Sequence, residues 1–429
     1  MNTSIFLYRV RANFLHSLKD LIRPAFYWIR SLFYRLPIYL ARLLRYLPFG
    51  QFAKIETKQL FPPVGICLST AEWVSQASQE LGLNATFIAV DAETEITRKL
   101  PKTIYPDVRH EFKTELKKQL LPTFVTVIPN GRVWGHYGAI ITPDNLLLKD
   151  ISEYHQIAQT GVDHQIFLDW RLVPLHRVSG TVAVLSTDAA GLYYHWMFHQ
   201  LPRFELLRRG GFDLSRIDKI IVSSCQKAYQ RDTLQILGIT ENQLIESDKF
   251  IHIEAENLIV PSNPLLTLQI PKWICDFLRT SFLPRTEQIR AGRRIYISRG
   301  QASYRRVLNE GEVIEFLSQY GFENVSFENL LVSEQALLMA SAEVVIGPHG
   351  SGLSNIVFCN PKTKIVEIFS PELVHHYFWK ISDLVDLDYY YILGKGSNDI
   401  NYQQSWDAKA DIQVELGSLK KVLREIGIV

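Results

Sequence analysis

From Arg293 onward, short apolar runs alternate with stretches of helical spacing. The runs are Ile295 to Ser298, Asn324 to Phe327, Val344 to Gly347, Ile365 to Phe369 and Tyr389 to Leu393. Such alternation predicts a parallel sheet with helical crossovers. Ligands of parallel sheets gather outside the carboxyl ends of the strands, and Arg299, His349 and Glu367 fall at or near those ends. A second series, Thr181 to Leu185, Lys219 to Ser223 and Phe250 to Ile253, predicts another α/β half upstream. Val260-Pro-Ser-Asn-Pro264 reads as a boundary, and a helix over Trp273 to Phe282 leads into the later half. Further upstream, Asn130-Gly131 lies between the β-rich arms Phe124 to Ile128 and Arg132 to Trp134, the signal of a hairpin turn. Short strands over Ala139 to Lys149 extend this β-rich subdomain. At the far end Ile412, Leu416, Leu419, Val422, Leu423 and Ile426 recur at helical spacing, which predicts a last helix packed back on the body.

The first fifty residues follow neither pattern. Eight Lys or Arg stand there against the single Asp20, a local balance of +7 that leaves −5 for the rest of a chain totalling +2. Aromatic and aliphatic residues fill the gaps, but Arg9, Arg11, Lys19, Arg23, Arg30, Arg35, Arg42 and Arg45 interrupt every run before it reaches the ~20 apolar residues of a spanning helix. The segment reads as an amphipathic anchor lying in a membrane surface, and equally as a helix packed on the body or on a partner. The expected organisation is therefore 1–50 membrane-surface segment, 51–270 β-rich subdomain plus first α/β half, 271–400 second half, and 401–429 closing helix. A length of 429 residues suits two globular domains. The four cysteines, Cys67, Cys225, Cys275 and Cys359, lack metal spacing and read as reduced thiols.

Three stretches carry candidate chemistry. In Gly347-Pro-His-Gly-Ser-Gly-Leu-Ser-Asn355 a strand breaks into a glycine-rich turn before a helix. Gly350, Ser351 and Gly352 offer backbone amides to an anion, and His349 adds a side-chain donor. Arg293-Arg-Ile-Tyr-Ile-Ser-Arg299 delivers Arg299 at a strand end, with Arg305-Arg306 just before Asn309 and Glu312, a pair spaced like a capping box. Guanidinium groups suit a diphosphate because they bind its oxygens bidentately. In Asp188-Ala-Ala-Gly-Leu-Tyr-Tyr-His-Trp-Met-Phe-His-Gln-Leu-Pro-Arg203, His195 and His199 stand four apart and share one helix face among aromatic rings. This pair reads as a base beside a sugar-binding floor, as a metal site, or as packing. The accompanying metal motifs are missing, and Asp386-Leu-Asp388 reads as the start of a strand.

Taken in order and spacing, these stretches resemble glycosyltransferase family 61, the family of plant xylosyl- and arabinosyltransferases and of animal protein-linked N-acetylglucosaminyltransferases. The residues that carry the resemblance include Tyr194 to Arg203, Ile297 to Arg299, Arg306 with Asn309 and Glu310, Glu334-Gln335, Gly347 to Asn355, and Lys364 to Ile368. One departure stands out, since the family pattern commonly has an acidic residue at the position of His199. The resemblance implies a GT-B fold, two Rossmann-like domains facing a cleft, and inversion at the anomeric carbon without a metal or other cofactor. It implies a nucleotide-sugar donor, UDP-linked, held by the C-terminal half through Arg299, Arg306, His349, Gly350, Ser351 and Gly352, with Glu367 at the nucleoside.

For direct displacement a base must take the acceptor proton while cations stabilise the leaving diphosphate. His195 leads as base, since its ordinary pKa lies near neutrality, with His199 and Asp188 in reserve. Tyr194, Trp196 and Arg203 are expected on the acceptor side. A glycan acceptor, no nucleic acid, and a place on the inner face of a bacterial plasma membrane complete the expectation. Alternatives are a related transferase with another donor, such as a pyruvyltransferase, and a silent membrane-attached scaffold. A dinucleotide enzyme lacks its third glycine here, and a serine hydrolase lacks G-x-S-x-G around Ser351.

Overall fold

The computed structural model describes residues 60–152, 164–169, 171–249, 251–284, 291–395 and 409–429. The basic segment 1–50 lies outside them, as does Phe250. Among the described residues no helix is long and apolar enough to cross a membrane. The chain divides into two compact units that interleave along the sequence. The first holds the described residues within 60–87, 126–188 and 247–260, the second those within 88–125, 189–246 and 261–429. A single cut near residue 270 does not separate them, because residues 189–246 cluster with the C-terminal part rather than with 126–188.

In the first unit the strands Gly65–Cys67, Leu146–Leu148, Ala139–Ile141, Arg132–Trp134, His252–Pro261 and His176–Val184 lie side by side in that order. The expected hairpin at Asn130-Gly131 does not form. Arg132–Trp134 pairs antiparallel with His252–Glu254, and the Thr123–Pro129 strand joins the same neighbour. Asn130 N donates to Glu256 O (3.0 Å) and Gly131 O accepts from Ala255 N (3.1 Å), so the dipeptide is a kink along one partner strand. Asn130 takes a left-handed φ of 54°, the conformation that made it resemble a turn residue.

The second unit contains a six-stranded sheet in the order Phe322–Val325, Arg293–Ile297, Ala342–Pro348, Lys364–Phe369, Asp388–Leu393, Lys102–Thr103. Every pairing in it is parallel. The five strands expected from the apolar runs are all present, shifted by at most two residues at their starts. Counted from Arg293, their spatial order is 2-1-3-4-5, so the winding direction reverses between Arg293–Ile297 and Ala342–Pro348. At such a reversal the loops after the two strands diverge and leave a crevice.

The helix Leu416–Glu425 closes this unit, with Leu419, Val422, Leu423 and Ile426 buried against Val344, Ile346, Val366 and Ile392. Ile412 precedes the helix and bridges to Val307 instead of continuing its apolar stripe. The capping box expected at Asn309 is also absent. The Asn309 side chain holds Val414 at both N (3.0 Å) and O (3.0 Å), tying the start of Glu310–Ser318 to the C-terminal segment.

Candidate active site

At the strand reversal Arg299, after one strand, meets Gly350, after its neighbour. Arg299 follows its strand directly, and its guanidinium is anchored by Nε to Arg305 O (3.2 Å) and by Nη2 to Tyr304 O (3.0 Å). Its third nitrogen lies against Gly350, where an added Cβ would sit 1.9 Å from Nη1. Glycine is required here for space, because Gly350 has an extended φ of 174° and neither Gly347 nor Gly352 is left-handed. Glu310 fixes the root of the arginine, accepting from Tyr296 OH (3.1 Å), Ser298 Oγ (3.0 Å) and Arg299 N (3.1 Å) with one oxygen.

Arg305 supplies a second guanidinium to this corner. Its backbone is left-handed at φ 53°, a strained choice for a side chain of this size. Its guanidinium and that of Arg299 lie 4.9 and 5.8 Å from the Tyr304 ring. Nε of Arg305 is buried and has no hydrogen-bond partner among the described residues. Arg306, expected to bind diphosphate, turns outward instead and pairs with Asp411 (Nη2 to Oδ2 2.8 Å) with over half its side chain exposed. The neighbouring Arg305, left-handed in its backbone, is the one whose charge reaches Arg299 and His349.

His349 ends the next strand and is 4% exposed. Its Nδ1 contacts Oε1 of Glu367, whose Oε2 accepts the hydroxyl of Tyr389. Burial pushes the imidazole well below its ordinary pKa, and the charges of Arg305 and Arg299 push the same way. Burial raises the Glu367 carboxyl well above the ordinary range, although Tyr389 and Arg305 oppose the shift. Glu367 is therefore no ribose ligand, since it is 0% exposed and both of its oxygens are engaged inside the sheet. The imidazole stacks on Phe369 (5.2 Å) and lies 5.3 Å from Phe378 and 5.5 Å from His375.

Ser351 opens the 3-10 helix Ser351–Phe358, so its first amides lack intrahelical acceptors. Gly352 is a packing position, closed over by Ile297 and Phe327 at 3.3 and 3.4 Å from an added Cβ. From the same helix Asn355 donates to Gln335 Oε1 (2.7 Å) and accepts from Tyr193 OH (2.8 Å). This bond joins the glycine-rich segment to the histidine-bearing one.

That segment runs from a helical turn, Tyr193–His195, through a π-helical turn, Trp196–Gln200, into the helix Pro202–Arg209. Such wide turns often accompany functional sites. The His195 and His199 rings lie 4.7 Å apart, which bears out their shared face. His195 is partly exposed, whereas His199 is 4% exposed. Tyr194 packs against His199 (5.8 Å), Tyr377 (5.1 Å) and Phe378 (6.0 Å), and Phe378 in turn touches His349. The two histidine groups thus share one aromatic wall.

Several expected acceptor contacts are corrected by burial. Trp196 is 0% exposed, with Nε1 bonded to Thr233 Oγ1 (2.9 Å), Arg203 is 3% exposed, and Tyr194 is 6% exposed, so these side chains form the interior behind the site. Asp188 falls in the first unit. The sequence reading paired Arg305 with Arg306 and carried only Arg306 into the donor set, and it did not single out Glu310 as a brace, His375 or Tyr377. Arg305 differs from Arg306 by nothing visible in the sequence, while His375-His376-Tyr377 is a cluster that could have been singled out. Among the described residues no group of three or more His, Cys, Asp or Glu is arranged to hold a metal ion.

Comparison with known proteins points at the same region. Residues 193–366 match the Glycosyltransferase 61 family, a stretch holding the histidine pair, Arg299, Arg305, His349 and Asn355. The EGF domain-specific O-linked N-acetylglucosamine transferase of Drosophila melanogaster is 31% identical over 114 residues, 26% of this chain and 21% of that protein. A beta-1,2-xylosyltransferase of Oryza sativa subsp. japonica is 38% identical over 98 residues, 23% of this chain and 17% of the relative. An alpha-1,3-arabinosyltransferase of the same rice is 24% identical over 253 residues, 54% and 40% respectively. These matches span less than half the length of each curated relative. The resemblance to family 61 carried by the motifs is thus found again in the family match over residues 193–366.

Proposed function

We propose, taking the glycosyltransferase 61 region at residues 193–366 as premise, that the protein transfers a sugar from a UDP-sugar to a hydroxyl of a glycan acceptor. The reaction we assign is inverting, metal-independent and of the GT-B type. The observation that carries this reading is the corner at the strand reversal, where Arg299, Arg305 and Gly350 meet. A buried guanidinium nitrogen with no hydrogen-bond partner among the described residues, a second guanidinium pressed on a glycine, and the first amides of a helix together suit a diphosphate.

In this mechanism the acceptor oxygen attacks the anomeric carbon as the bond to the diphosphate breaks. Arg299 and Arg305 offset the charge growing on the leaving group, the part a divalent ion plays in other transferases. His195 takes the acceptor proton, because it is the partly exposed member of the pair. His199, buried behind it, holds it in place. Residues 1–50 are proposed to rest on an anionic membrane surface, at the inner face of a plasma membrane, where an envelope glycan acceptor would be met.

Calorimetric titration of the full chain with UDP, in the presence of a chelator, tests the donor site. Micromolar binding that disappears in Arg299→Ala is expected. Absence of binding to UDP and to other nucleoside diphosphates would sink the reading and direct attention to a donor such as an enolpyruvyl phosphate. If UDP binds, the anomeric configuration of a product formed from UDP-xylose or UDP-N-acetylglucosamine, read by NMR, decides between inversion and retention.

A further inference from the structure

Glu367 presents a problem that donor binding leaves unsolved. A carboxyl side chain at 0% exposure sits inside a parallel sheet, its two oxygens on His349 and Tyr389, with no Lys or Arg among the described residues hydrogen-bonded to it. Burial of an ionised carboxylate without a cationic partner is costly, so such a group keeps its proton or shares it. Its neighbour His349 faces the opposite bias. The groups around the imidazole are Glu367 on its own sheet, Arg299 and Arg305 from the adjoining loop, and His375 before the helix Tyr377–Leu384. Two guanidinium charges disfavour a third cation there.

We propose that His349 and Glu367 hold one mobile proton, which moves from the carboxyl to the imidazole when a diphosphate occupies the corner of Arg299 and Arg305. This rests on the nucleotide-sugar reading above and adds an anion-gated proton shift to it. With the corner empty, the two arginines keep His349 neutral and the proton stays on Glu367 Oε1. An incoming diphosphate neutralises their field, and the imidazolium becomes the favoured form. The proton then sits on Nδ1, and the carboxylate left behind keeps the Tyr389 hydroxyl as donor. The pair remains neutral in sum throughout, so no proton is drawn from solvent.

During transfer the electron pair of the anomeric C–O bond passes to the diphosphate oxygen, and the imidazolium adds its charge to those of Arg299 and Arg305. The acceptor proton leaves separately, to His195. When the diphosphate departs, the arginine charges return and the proton goes back to Glu367. In this scheme Glu367 and Tyr389 are positioning residues that act through His349. The stacking on Phe369, at an interplanar angle of 28°, keeps the ring in the plane that makes the exchange possible.

The test is nitrogen NMR of the full chain labelled with 15N-histidine, with UDP as the probe and the His349 signal assigned by its loss in His349→Gln. In wild type, saturating UDP should convert that signal from the neutral to the imidazolium pattern. In Glu367→Gln, which fills the same space but cannot give up a proton in this way, UDP should bind within about threefold of wild type while the signal stays neutral. Turnover should fall roughly 10²-fold through kcat with KM little changed. Tyr389→Phe, which removes the donor to the carboxylate, should give an intermediate shift and about a tenfold loss in kcat. Bound UDP with an unchanged His349 signal in wild type would overturn the proton shift and leave the donor site standing. Absence of UDP binding would instead remove the reading on which it rests. A Glu367→Gln protein with wild-type kcat would also overturn the inference, since a purely structural carboxyl tolerates its amide.

Discussion

Arg299 lies so close to Gly350 that the two cannot coexist with a methyl group between them, because Nη1 stands 1.9 Å from where that carbon would be. Their contact joins the loop after one strand to the loop after its neighbour across the point where the sheet reverses direction. Gly350→Ala should displace the guanidinium while the backbone stays in place, since the glycine is extended and the obstacle is the far end of a flexible side chain. The variant is expected to fold with nearly wild-type melting, and to bind UDP about 10–100-fold more weakly by calorimetry.

The adjacent arginines should separate cleanly. Arg305→Ala removes the half-buried guanidinium at the corner and should weaken UDP by at least about tenfold. Arg306→Ala only breaks the exposed pair with Asp411, and UDP affinity should be unchanged within about twofold. The reverse ranking in a titration would return the diphosphate to Arg306.

The histidine pair should divide by exposure. His195→Ala is expected to keep UDP affinity and lose roughly 10²–10⁴ in turnover, as for removal of a general base. His199→Ala, made at a 4% exposed position, should lower the unfolding free energy by about 1–3 kcal/mol in urea titrations, with a smaller effect on rate per folded molecule.

Asn355 links Tyr193 to Gln335 in the interior and is itself 1% exposed. Asn355→Ala would strand a hydroxyl donor and an amide acceptor, at a cost of about 1–3 kcal/mol for each group left without a partner. Tyr193→Phe removes only the outer member and should cost less. Urea denaturation of both variants checks the order.

Acid should destabilise the protein before most carboxylates titrate. Burial lowers His375 to about 4 with the charge of Arg305 adding to it, and burial lowers His376 to about 4 with the charge of Lys380 adding to it. Both are neutral in the folded chain at pH 6, whereas in the unfolded chain they protonate below about 6.5. The unfolded state therefore binds more protons, and stability falls as pH drops from about 6.5 to about 4. Denaturation midpoints measured between pH 7.5 and 4.5 should decline, and the decline should be shallower in His375→Asn/His376→Asn.

The sheet around the corner was legible because its inner strands Ala342–Pro348, Lys364–Phe369 and Asp388–Leu393 are buried on both faces and read as apolar runs bounded by breakers. The positions of Arg299 and His349 followed from strand ends alone. What sequence could not supply was side-chain direction beyond those ends. Arg305 and Arg306 are chemically identical neighbours, and only the left-handed backbone at Arg305 decides which one faces the crevice. Glu367 was placed correctly on its strand and assigned the wrong partner, because period-two alternation tells which face a residue takes but not whether a histidine waits there. The Asn130-Gly131 misreading has a related cause. The dipeptide favours left-handed backbone wherever it occurs, and a kink in one strand satisfies that preference as well as a turn between two.

The outermost strand of the six, Lys102–Thr103, pairs with Tyr390 and Tyr391, and its hydroxyl Thr103 Oγ1 bonds Tyr391 O across 288 positions of sequence. Phe112, 0% exposed, follows it into a slot between Trp379 and Tyr391. During synthesis this early segment must wait, unpaired, until the last tyrosines leave the ribosome. A fragment begun after residue 270 would never receive it. The row Asp388–Leu393 would then be a bare, tyrosine-rich sheet edge, the kind of surface on which chains add to one another. The interleaving of the two units makes this six-stranded sheet a product of distant stretches of the polypeptide, completed late, rather than a module that evolution or an experimenter could lift out by a single cut.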